Sequence, residues 1–449
     1  MKKIYFFSMY FIFVLVYLNE FFNLNQNNFA ILVSVGICFL LVSSLTMTRG
    51  FQLYVSIISL TLGHIILFKY NLGFNVWYSS LIKSIGIPVL FVVIPMISFP
   101  IKHGQYLKSV EDYVASKSEK PIFLFALLAI THLSLTIPLN IGSIPTMQKL
   151  LEKIKFPKEY LAHLYTAGYS SYMVFSPYDG VVNMVLLFTS LTYSEYFLSG
   201  LSMVILIIMV SAFFLKIDNK LLQQLNNTLS SIRSSGNDKK MYELLFHIFV
   251  LIFLAFLGES FIPFSNQLYI IAVIIIIYST FWGFFLNALD KYRDELKKYC
   301  KNLLDFKSFI PFLISTGFLG SMISFTPLKD NIGSILLSLN SLPLYFIIQF
   351  FILLTIVLSL CGVHMMITVT TLALTITPEF IGLSNVAFAL TLLTCWYIAM
   401  SISPFVPFTI IVADTIKEKP LNVTFKYNLK FSFIMLFIAP IIILLINYF

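Results

Sequence analysis

The feature that most constrains this chain is a series of apolar runs that recurs from Tyr5 to Ile446. Most of them are long enough to cross a hydrocarbon core of about 30 Å as an α-helix. Because no water reaches that core, the backbone groups of each run must pair internally, as they do in helices. Of 449 residues, 59% are hydrophobic and 11% are charged, which exceeds what a soluble core needs. The sequence therefore predicts an all-α polytopic membrane protein.

About eleven of these runs fit single transmembrane helices, although a few fall short of the usual length of about 17 to 25 residues. They occupy positions 5–18, 29–45, 51–68, 79–99, 162–187, 197–215, 244–257, 268–286, 309–325, 386–412 and 431–446.

Two other apolar stretches, 122–154 and 344–376, are each interrupted near the middle by turn-prone residues. At about 1.5 Å of rise per residue, the part after each turn is too short to cross the membrane. We therefore expect two opposed re-entrant hairpins. Two tilted full spans in a thinned bilayer are the alternative.

Basic residues concentrate in the connections that this arrangement places on one side of the membrane. Cytoplasmic loops collect Lys and Arg, and with the N-terminus inside, only Lys69, Lys83 and Lys329 of the 29 lie outside. The net charge of +9 is therefore a topology signal and not a nucleic-acid-binding surface. We expect a multi-pass protein of the bacterial cytoplasmic membrane, with its N-terminus inside and its C-terminus outside.

The order of segments repeats once along the chain. After an extra first transmembrane helix at 1–24, each of two blocks has three spans, a hairpin, a broken span and a last span. An odd number of crossings separates equivalent segments, so the repeats are inverted, as in many carriers. The predicted units are inverted repeat 1 at 25–216 with hairpin 121–156 and broken helix 160–190, a cytoplasmic linker at 217–240, and inverted repeat 2 at 241–449 with hairpin 342–378 and broken helix 385–416.

Each block carries a Ser-Pro dipeptide in the middle of an apolar run, Ser176-Pro177 and Ser403-Pro404. Proline removes one backbone donor and clashes with the preceding turn, so both helices should break there. Free backbone groups at membrane depth are tolerated only next to protein, water or a ligand. The matched pair of breaks favours a binding site, whereas one isolated Ser-Pro would be an ordinary kink.

Small polar residues cluster at the breaks and at the hairpin turns. Helix N-termini that begin there point amides and partial positive charge inward, which suits an anion, and opposing carbonyls suit a sodium ion. The predicted substrate- or ion-binding residues are Asn140, Ser143, Thr146, Ser176, Asp179, Asn183, His364, Thr368, Ser401 and Ser403, and the predicted helix-breaking residues are Pro177, Pro404, Gly142 and Gly362.

Two of these residues are ionisable. Asp179 is the first candidate for ion or proton coupling, since an unpaired carboxylate in a span costs about 3 kcal/mol; capping the second half-helix is its alternative role. His364 could bind substrate or pass a proton, and a structural role is the alternative. No metal-ligand spacing or catalytic motif appears. We therefore expect no catalytic residues, no metal site and no cofactor, with Na⁺ considered as a coupling ion.

In layout, the chain resembles the ion transporter superfamily, which includes the divalent anion:sodium symporters and citrate-type secondary carriers. The resemblance rests on the extra first span, the inverted repeats, the opposed hairpins and the broken helices with small polar residues. It implies an elevator-type transporter, in which hairpins and broken helices move against a dimeric scaffold formed by the other spans. The Ser-Asn-Thr signatures of the dicarboxylate carriers are absent; the residues in their place are Asn140, Ser143 and Thr146 at the first tip, and Ser176, Ser401 and Ser403 at the breaks.

The expected function is secondary active transport of a small anion or carboxylate, coupled to Na⁺ or H⁺. Its partners would be the small-molecule anion, the lipid bilayer and a second copy in a homodimer, with no nucleic acid. The alternative is a membrane enzyme of lipid-linked polysaccharide assembly, a polymerase or ligase. Such an enzyme should carry a large outer loop rich in Arg, His or carboxylates, and the predicted outer connection 326–341 lacks such a cluster. A channel is a third class that the sequence leaves open.

Overall fold

The computed structural model describes residues 2–22, 27–104, 106, 121–151, 156–217, 223, 239–261, 267–326 and 342–448. Within these ranges every regular element is helical, so the all-α prediction is confirmed. The predicted linker at 217–240 lies outside the described residues, apart from Ile217, Gln223, Lys239 and Lys240.

Nineteen α-helices follow one another in the described ranges. They are α1 (Lys2–Phe22), α2 (Asn27–Leu45), α3 (Phe51–Lys69), α4 (Phe74–Val93), α5 (Ser98–His103), α6 (Pro121–Leu139), α7 (Ser143–Leu151), α8 (Lys158–Phe175), α9 (Gly180–Thr189), α10 (Tyr193–Ile217), α11 (Lys239–Phe261), α12 (Gln267–Phe285), α13 (Leu289–Asn302), α14 (Phe309–Ile323), α15 (Leu344–Leu360), α16 (Met365–Thr375), α17 (Asn385–Ile402), α18 (Pro407–Ile416) and α19 (Leu429–Tyr448). Short 3₁₀ turns lie at Ile94–Ile97, Asn140–Gly142, Leu303–Phe306 and Pro378–Ile381, and a π-helix at Asn422–Asn428 precedes α19.

In the described ranges, eight helical segments are long and apolar enough to cross a membrane, as in a multi-pass membrane protein. The sequence predicted about eleven. The predicted runs at 5–18 and 29–45 form α1 and α2, of 21 and 19 residues, the run at 309–325 contains the 15-residue α14, and the run at 162–187 is divided between α8 and α9. The number of crossings therefore stays a prediction. One of the eight segments, 122–151, lies within the first predicted hairpin at 121–156.

The interior of the fold is built around the two interrupted helices. In α17, 89% of an 18-residue window is buried within the protein, against 22% in α3 and 28% in α11. A helix that is buried all round belongs to the core, whereas the exposed apolar faces of α3 and α11 suit contact with lipid. Helix α17 packs against α8, α9, α15, α16 and α19. The interrupted segments of both halves therefore meet around one central helix.

The chain reverses between α6 and α7. Asn140 has a φ of 48°, in the left-handed region that Asn tolerates better than most residues. The hydroxyl of Thr136 donates to Oγ of Ser143 at 2.9 Å, and Nε2 of His132 lies 3.1 Å from the same oxygen. Residues 11 positions apart on a straight helix would be separated by about 16 Å. Segment 122–151 is therefore a helix–turn–helix and not one straight crossing.

A second reversal joins α15 to α16. Gly362 has a φ of 87°, and the amides of Gly362 and Val363 donate to the carbonyls of Ser359 and Leu358 at 3.1 and 2.9 Å. This is the Schellman arrangement, in which a glycine with positive φ ends a helix. The side chain of His364 then caps the N-terminus of α16. Each half of the chain thus contains one helical hairpin followed by one interrupted helix.

Candidate functional site

A cavity of about 390 Å³ lies where the four interruptions of the fold meet. The first hairpin turn contributes Asn140, the first helix break Asp179, the second hairpin turn His364 and the second break Val406. The opposite wall comes from the end of α4, the 3₁₀ turn that follows it and the region around Phe309 at the start of α14. The fold therefore gathers residues that are far apart in sequence around one central space.

The lining of this cavity is mainly apolar. Its aromatic side chains are Phe91, Tyr169, Phe306, Phe309, Trp396 and Phe408. Besides the phenol of Tyr169, its ionisable groups are Asp179 and His364, and no Lys or Arg occurs among the described lining residues. A pocket of this size, with many apolar walls and a few polar groups, suits a small organic solute that carries its own polar end.

Three of the residues predicted from sequence, Asn140, Asp179 and His364, line this cavity. The remaining predicted residues are not among its described lining residues, and most of their polar groups bond within the fold. They are Ser143, Thr146, Ser176, Asn183, Thr368, Ser401 and Ser403.

At the first break, between α8 and α9, tyrosine hydroxyls bind the carbonyls that lose their helical partners. Tyr196 and Tyr193 of α10 donate to the carbonyls of Val174 and Phe175 at 2.7 and 2.9 Å. Tyr172 donates to the carbonyl of Tyr178 at 3.0 Å. These distances are those of ordinary O–H···O hydrogen bonds. The break is therefore closed by side chains from its own helix and from a neighbour.

The amides and the remaining carbonyls of the first break are also bonded. Asp179 caps α9, since its Oδ1 accepts from the amides of Val181 and Val182 at 2.7 and 3.3 Å. The side-chain amide of Asn183 donates to the carbonyls of Pro177 and Asp179 at 2.5 and 2.8 Å. The capping role considered for Asp179 is thus present in the structure, while the carboxylate also lines the cavity.

The second break, between α17 and α18, is bonded more loosely. Pro404 supplies no amide for the carbonyl of Met400, which instead receives the Thr409 hydroxyl at 3.4 Å. The same hydroxyl donates to the carbonyl of Ser403 at 2.8 Å. The side-chain amide of Asn428 donates to the carbonyl of Ser401 at 3.5 Å. Helix α18 begins with Pro407, and no side chain in the described part of the chain caps it. The first-turn amides of α18 are therefore left without a side-chain acceptor.

Of the two serines in the Ser-Pro dipeptides, the first also makes the shorter hydrogen bond. Oγ of Ser176 accepts from the amide of Tyr178 at 3.1 Å, inside the first break. Oγ of Ser403 donates to the carbonyl of Ser359 at 3.4 Å, a long contact to the second hairpin. Ser401 pairs with the hydroxyl of Ser432 at 2.6 Å. These hydroxyls act on backbone or on each other and not on the cavity.

At the first hairpin, polar groups hold the turn against α8. Tyr169 donates to Oδ1 of Asn140 at 3.0 Å, and Thr146 donates to the carbonyl of Gly142 at 2.8 Å. His132, for which we predicted no role, is buried beside Ser143. A Cβ on Gly168 would lie 2.4 Å from Nδ1 of His132. The missing side chain at Gly168 leaves room for the imidazole of His132. This glycine is the one local sequence feature that could have indicated the position of His132.

At the second hairpin, His364 lines the cavity. Its Nδ1 accepts from the amide of Met366 at 3.2 Å, so in the neutral ring the proton is on Nε2. The ring packs edge-on against Phe312 and Trp396, with centroids 5.2 and 6.0 Å away. The nearby hydroxyl of Thr368 is buried and makes no hydrogen bond to the described residues.

A polar clamp outside the membrane-spanning segments ties the start of α8 to the end of α18. Lys158 donates to the carbonyl of Lys417 at 2.6 Å and to the carboxylate of Glu418 at 3.5 Å. The side chain of Asn422 donates to Glu418 at 2.8 Å. The bonds from Asn422 and from the amide of Lys419, with the charge of Lys158, lower the pKa of Glu418 from 4.5 to about 2.

Within the described ranges, no group of three His, Cys, Asp or Glu side chains is arranged to hold a metal ion. The substrate, the coupling ion and the homodimer that the sequence predicts remain predictions.

In overall fold, the chain is similar to the crystal structure of the YdaH transporter of Alcanivorax borkumensis, which is described as having an unusual topology. The TM-score is 0.59, the sequence identity is 12%, and the match covers 87% of this chain and 97% of that chain. A similarity at this identity shows a shared fold. No protein-family model and no curated protein matches the sequence. The closer resemblance to divalent anion:sodium symporters stays a prediction.

Proposed function

We propose that this protein is a secondary active transporter that moves a small organic anion or carboxylate across the bacterial cytoplasmic membrane, coupled to Na⁺ or H⁺. The observation that carries the proposal is the cavity to which all four helix interruptions contribute. Irregular backbone at membrane depth is tolerated where it lines a site, and carriers place their substrates at such breaks. The fold shared with a transporter structure supports the same assignment.

Two groups in the cavity suit a negatively charged substrate end. The uncapped N-terminus of α18 carries a partial positive charge of about half an elementary charge, and Val406, Pro407 and Phe408 place it at the lining. His364 adds a neutral N–H donor at Nε2. Together they would bind a carboxylate without any buried Arg or Lys.

The aromatic lining suits an apolar substrate body. Phe91, Trp396 and Phe408 surround the space next to these donors. Inorganic anions would gain nothing from such walls, whereas a carboxylate attached to a hydrocarbon or ring would bury apolar area against them. We therefore expect organic carboxylates to be preferred over inorganic anions.

The transport cycle that we propose follows the elevator-type layout. Helices α7 and α16, of 9 and 11 residues, span roughly 14 and 17 Å at the usual helical rise, about half of a bilayer core. This length supports two re-entrant hairpins in inverted repeats. The hairpins and broken helices would move together, and α4 and α14, which form the opposite cavity wall, would belong to the scaffold.

The test is uptake by proteoliposomes, with Na⁺ and pH gradients imposed separately and a panel of carboxylates offered with and without apolar groups. Asp179→Asn removes the charge and keeps a capping side chain, and Asp414→Asn is its matched control on the exposed end of α18. His364→Asn keeps a side chain that can cap α16 but removes the Nε2–H donor, and it should lower uptake by about tenfold or more, because a hydrogen bond to a charged group is lost. His64→Asn, in which the histidine pairs with Trp77 away from the cavity, should not.

Gradient-dependent uptake that falls in Asp179→Asn and His364→Asn, with both controls unchanged, is the expected result. Absence of flux for every solute under either gradient would contradict the proposal. Stabilisation by a lipid-linked sugar in place of a carboxylate would favour the polysaccharide polymerase or ligase.

A further inference from the structure

A groove of about 450 Å³ lies between α1 and α2 and shares no described lining residue with the substrate cavity. Both helices are apolar and, at 21 and 19 residues, long enough to cross a hydrocarbon core. The groove, called the α1–α2 groove below, is lined mainly by Lys3, Phe7 and Phe11 of α1 and by Val35, Gly36 and Phe39 of α2. The side chains of Phe7 and Phe39 are 70% and 60% exposed. An exposed apolar concavity on such a helix pair marks a surface for lipid or for another protein.

The walls of the α1–α2 groove are already in place. Gly36 has no side chain, and a Cβ there would lie 3.0 Å from Cδ1 of Ile12, so α1 and α2 approach closely at this point. Phe7 and Phe11 lie one turn apart on α1, and their rings are within 10° of parallel with centroids 5.6 Å apart. A flat aromatic wall beside a glycine leaves a channel. A chain that fills this channel gains the dispersion contacts that an empty channel forfeits.

The length of the groove distinguishes between the possible occupants. From Lys3 to Phe11 an α-helix rises about 12 Å, and one leaflet contributes about 15 Å to the hydrocarbon core. The groove therefore extends from the end of α1 toward the middle of the membrane, within one leaflet. One acyl chain that enters from the membrane surface has this reach. A helix of a second copy would need a contact surface across both leaflets.

Positive charge lies at the outer end of the groove. Lys3 is exposed and is the charged residue among the described lining residues. The hydroxyl of Tyr5 donates to the carbonyl of Leu303 at 3.2 Å, which places the segment that carries Lys301 and Lys307 next to the first turns of α1. Basic pockets between transmembrane helices at the membrane surface bind anionic lipid headgroups. Charge and shape therefore favour the same ligand, a lipid with a negatively charged headgroup.

We propose that the α1–α2 groove binds one anionic phospholipid, with an acyl chain along Phe7, Phe11 and Gly36 and the phosphate at the ammonium group of Lys3. The chain fills the channel between α1 and α2, and the headgroup joins the start of α1 to the end of α13. This site is independent of the transport assignment, because it shares no residue with the substrate cavity and its test requires no flux.

The experiment is native mass spectrometry of the purified full-length protein in detergent, which counts bound lipids and gives their affinities. The protein is titrated with dioleoyl phosphatidylglycerol, with dioleoyl phosphatidylcholine as the zwitterionic lipid of equal chains, and with glycerol 3-phosphate as a phosphate without chains. One phosphatidylglycerol should bind at least about fivefold more tightly than phosphatidylcholine, and glycerol 3-phosphate should not compete with it.

Two variants test the two ends of the site. Lys3→Gln should weaken phosphatidylglycerol binding about fivefold and leave phosphatidylcholine binding unchanged, since one cation near the headgroup is lost. Lys69→Gln, at the opposite end of the neighbouring α3, is its control. Val35→Trp places an indole in the groove and should remove one tightly bound lipid. Val14→Trp is its control, because Val14 is similarly exposed on α1 and is not a described lining residue.

Equal affinity for the two lipids, competition by glycerol 3-phosphate, or an unchanged number of bound lipids in Val35→Trp would overturn the inference. A dimer that Val35→Trp converts to monomers without loss of lipid would assign the groove to a second copy and would also overturn it. Thermal unfolding in detergent shows whether each variant is folded. If Val35→Trp is not, Val35→Phe replaces it and the same criteria apply.

Discussion

The two broken helices start from the same sequence feature, a Ser-Pro dipeptide in an apolar run, and differ in what binds their free backbone groups. At the first break, Tyr193 and Tyr196 bind carbonyls at 2.9 and 2.7 Å and Asp179 caps the following helix. At the second, Thr409 binds the Ser403 carbonyl at 2.8 Å, but the side-chain contacts to Met400 and Ser401 are 3.4 and 3.5 Å, and no side chain of the described residues caps the following helix.

Because of this difference, the first break is the more rigid of the two and the second has more backbone groups available to a ligand. Each hydrogen bond contributes about 0.5 to 1.5 kcal/mol net, and long ones contribute less. Tyr178 also fastens the first break to α11, through a 2.6 Å bond to the carbonyl of Leu251. The first break is therefore held in one conformation, whereas the second retains backbone groups that a ligand can bind. A pair of equivalent breaks in one fold can thus divide the structural role from the binding role.

The largest expected effect comes from removing the cap of the first break. Asp179→Ala should lower the unfolding free energy by about 2 to 4 kcal/mol, because the cap is lost and two buried amides lose their acceptor. Val406→Asn, which places a capping side chain at the equivalent position of the second break, should be close to neutral. Denaturant unfolding in detergent, followed by tyrosine and tryptophan fluorescence, measures both. A smaller cost for Asp179→Ala than for Val406→Asn would break the comparison.

A smaller effect is expected at the two serines themselves. Ser176→Ala leaves the buried amide of Tyr178 without its 3.1 Å acceptor and should cost about 1 to 2 kcal/mol. Ser403→Ala loses only a 3.4 Å contact, and the carbonyl of Ser359 keeps the amide of Gly362, so about 0.5 kcal/mol or less is expected. The two variants are chemically identical and serve as controls for each other. Equal costs would show that the breaks are equally well bonded.

The smallest effect concerns the clamp that joins the two interrupted helices at the surface. Since the pKa of Glu418 in the folded protein is about 2 and its ordinary value is 4.5, its carboxylate stabilises the fold above pH 4.5. That contribution should be lost as the pH falls toward 2. Glu418→Gln should therefore lower the unfolding temperature slightly at pH 7, and the gap to the natural protein should shrink below pH 4.5. A gap that widens on acidification would contradict the assignment; Asp414→Asn is the control.

Local sequence signals located the helix interruptions, because proline and a glycine with positive φ act on their own backbone. The helices stop at Phe175 and Ile402, directly before the two Ser-Pro dipeptides, and the second hairpin turns at Gly362. The same signals named Asn140, Asp179 and His364, which line the cavity.

The partners of the breaks could not be read from the sequence. Tyr193, Tyr196 and Asn428 lie on other helices, and apolar spans with scattered Tyr and Asn give no sign of which carbonyl each will reach. Ser143 was placed in the site by its position at a turn, yet the buried His132 and Thr136 bind it inside the hairpin.

The central claim, that the first break is fixed and the second is free to bind, is tested most directly by hydrogen exchange with mass spectrometry on the intact protein in lipid nanodiscs. Peptides covering 405–410, at the second break, should exchange faster than peptides covering 178–183, at the first break. Na⁺ or a transported carboxylate should slow exchange at 405–410 without changing exchange at 178–183. Equal exchange at the two breaks, or protection by ligand at the first break alone, would contradict the account.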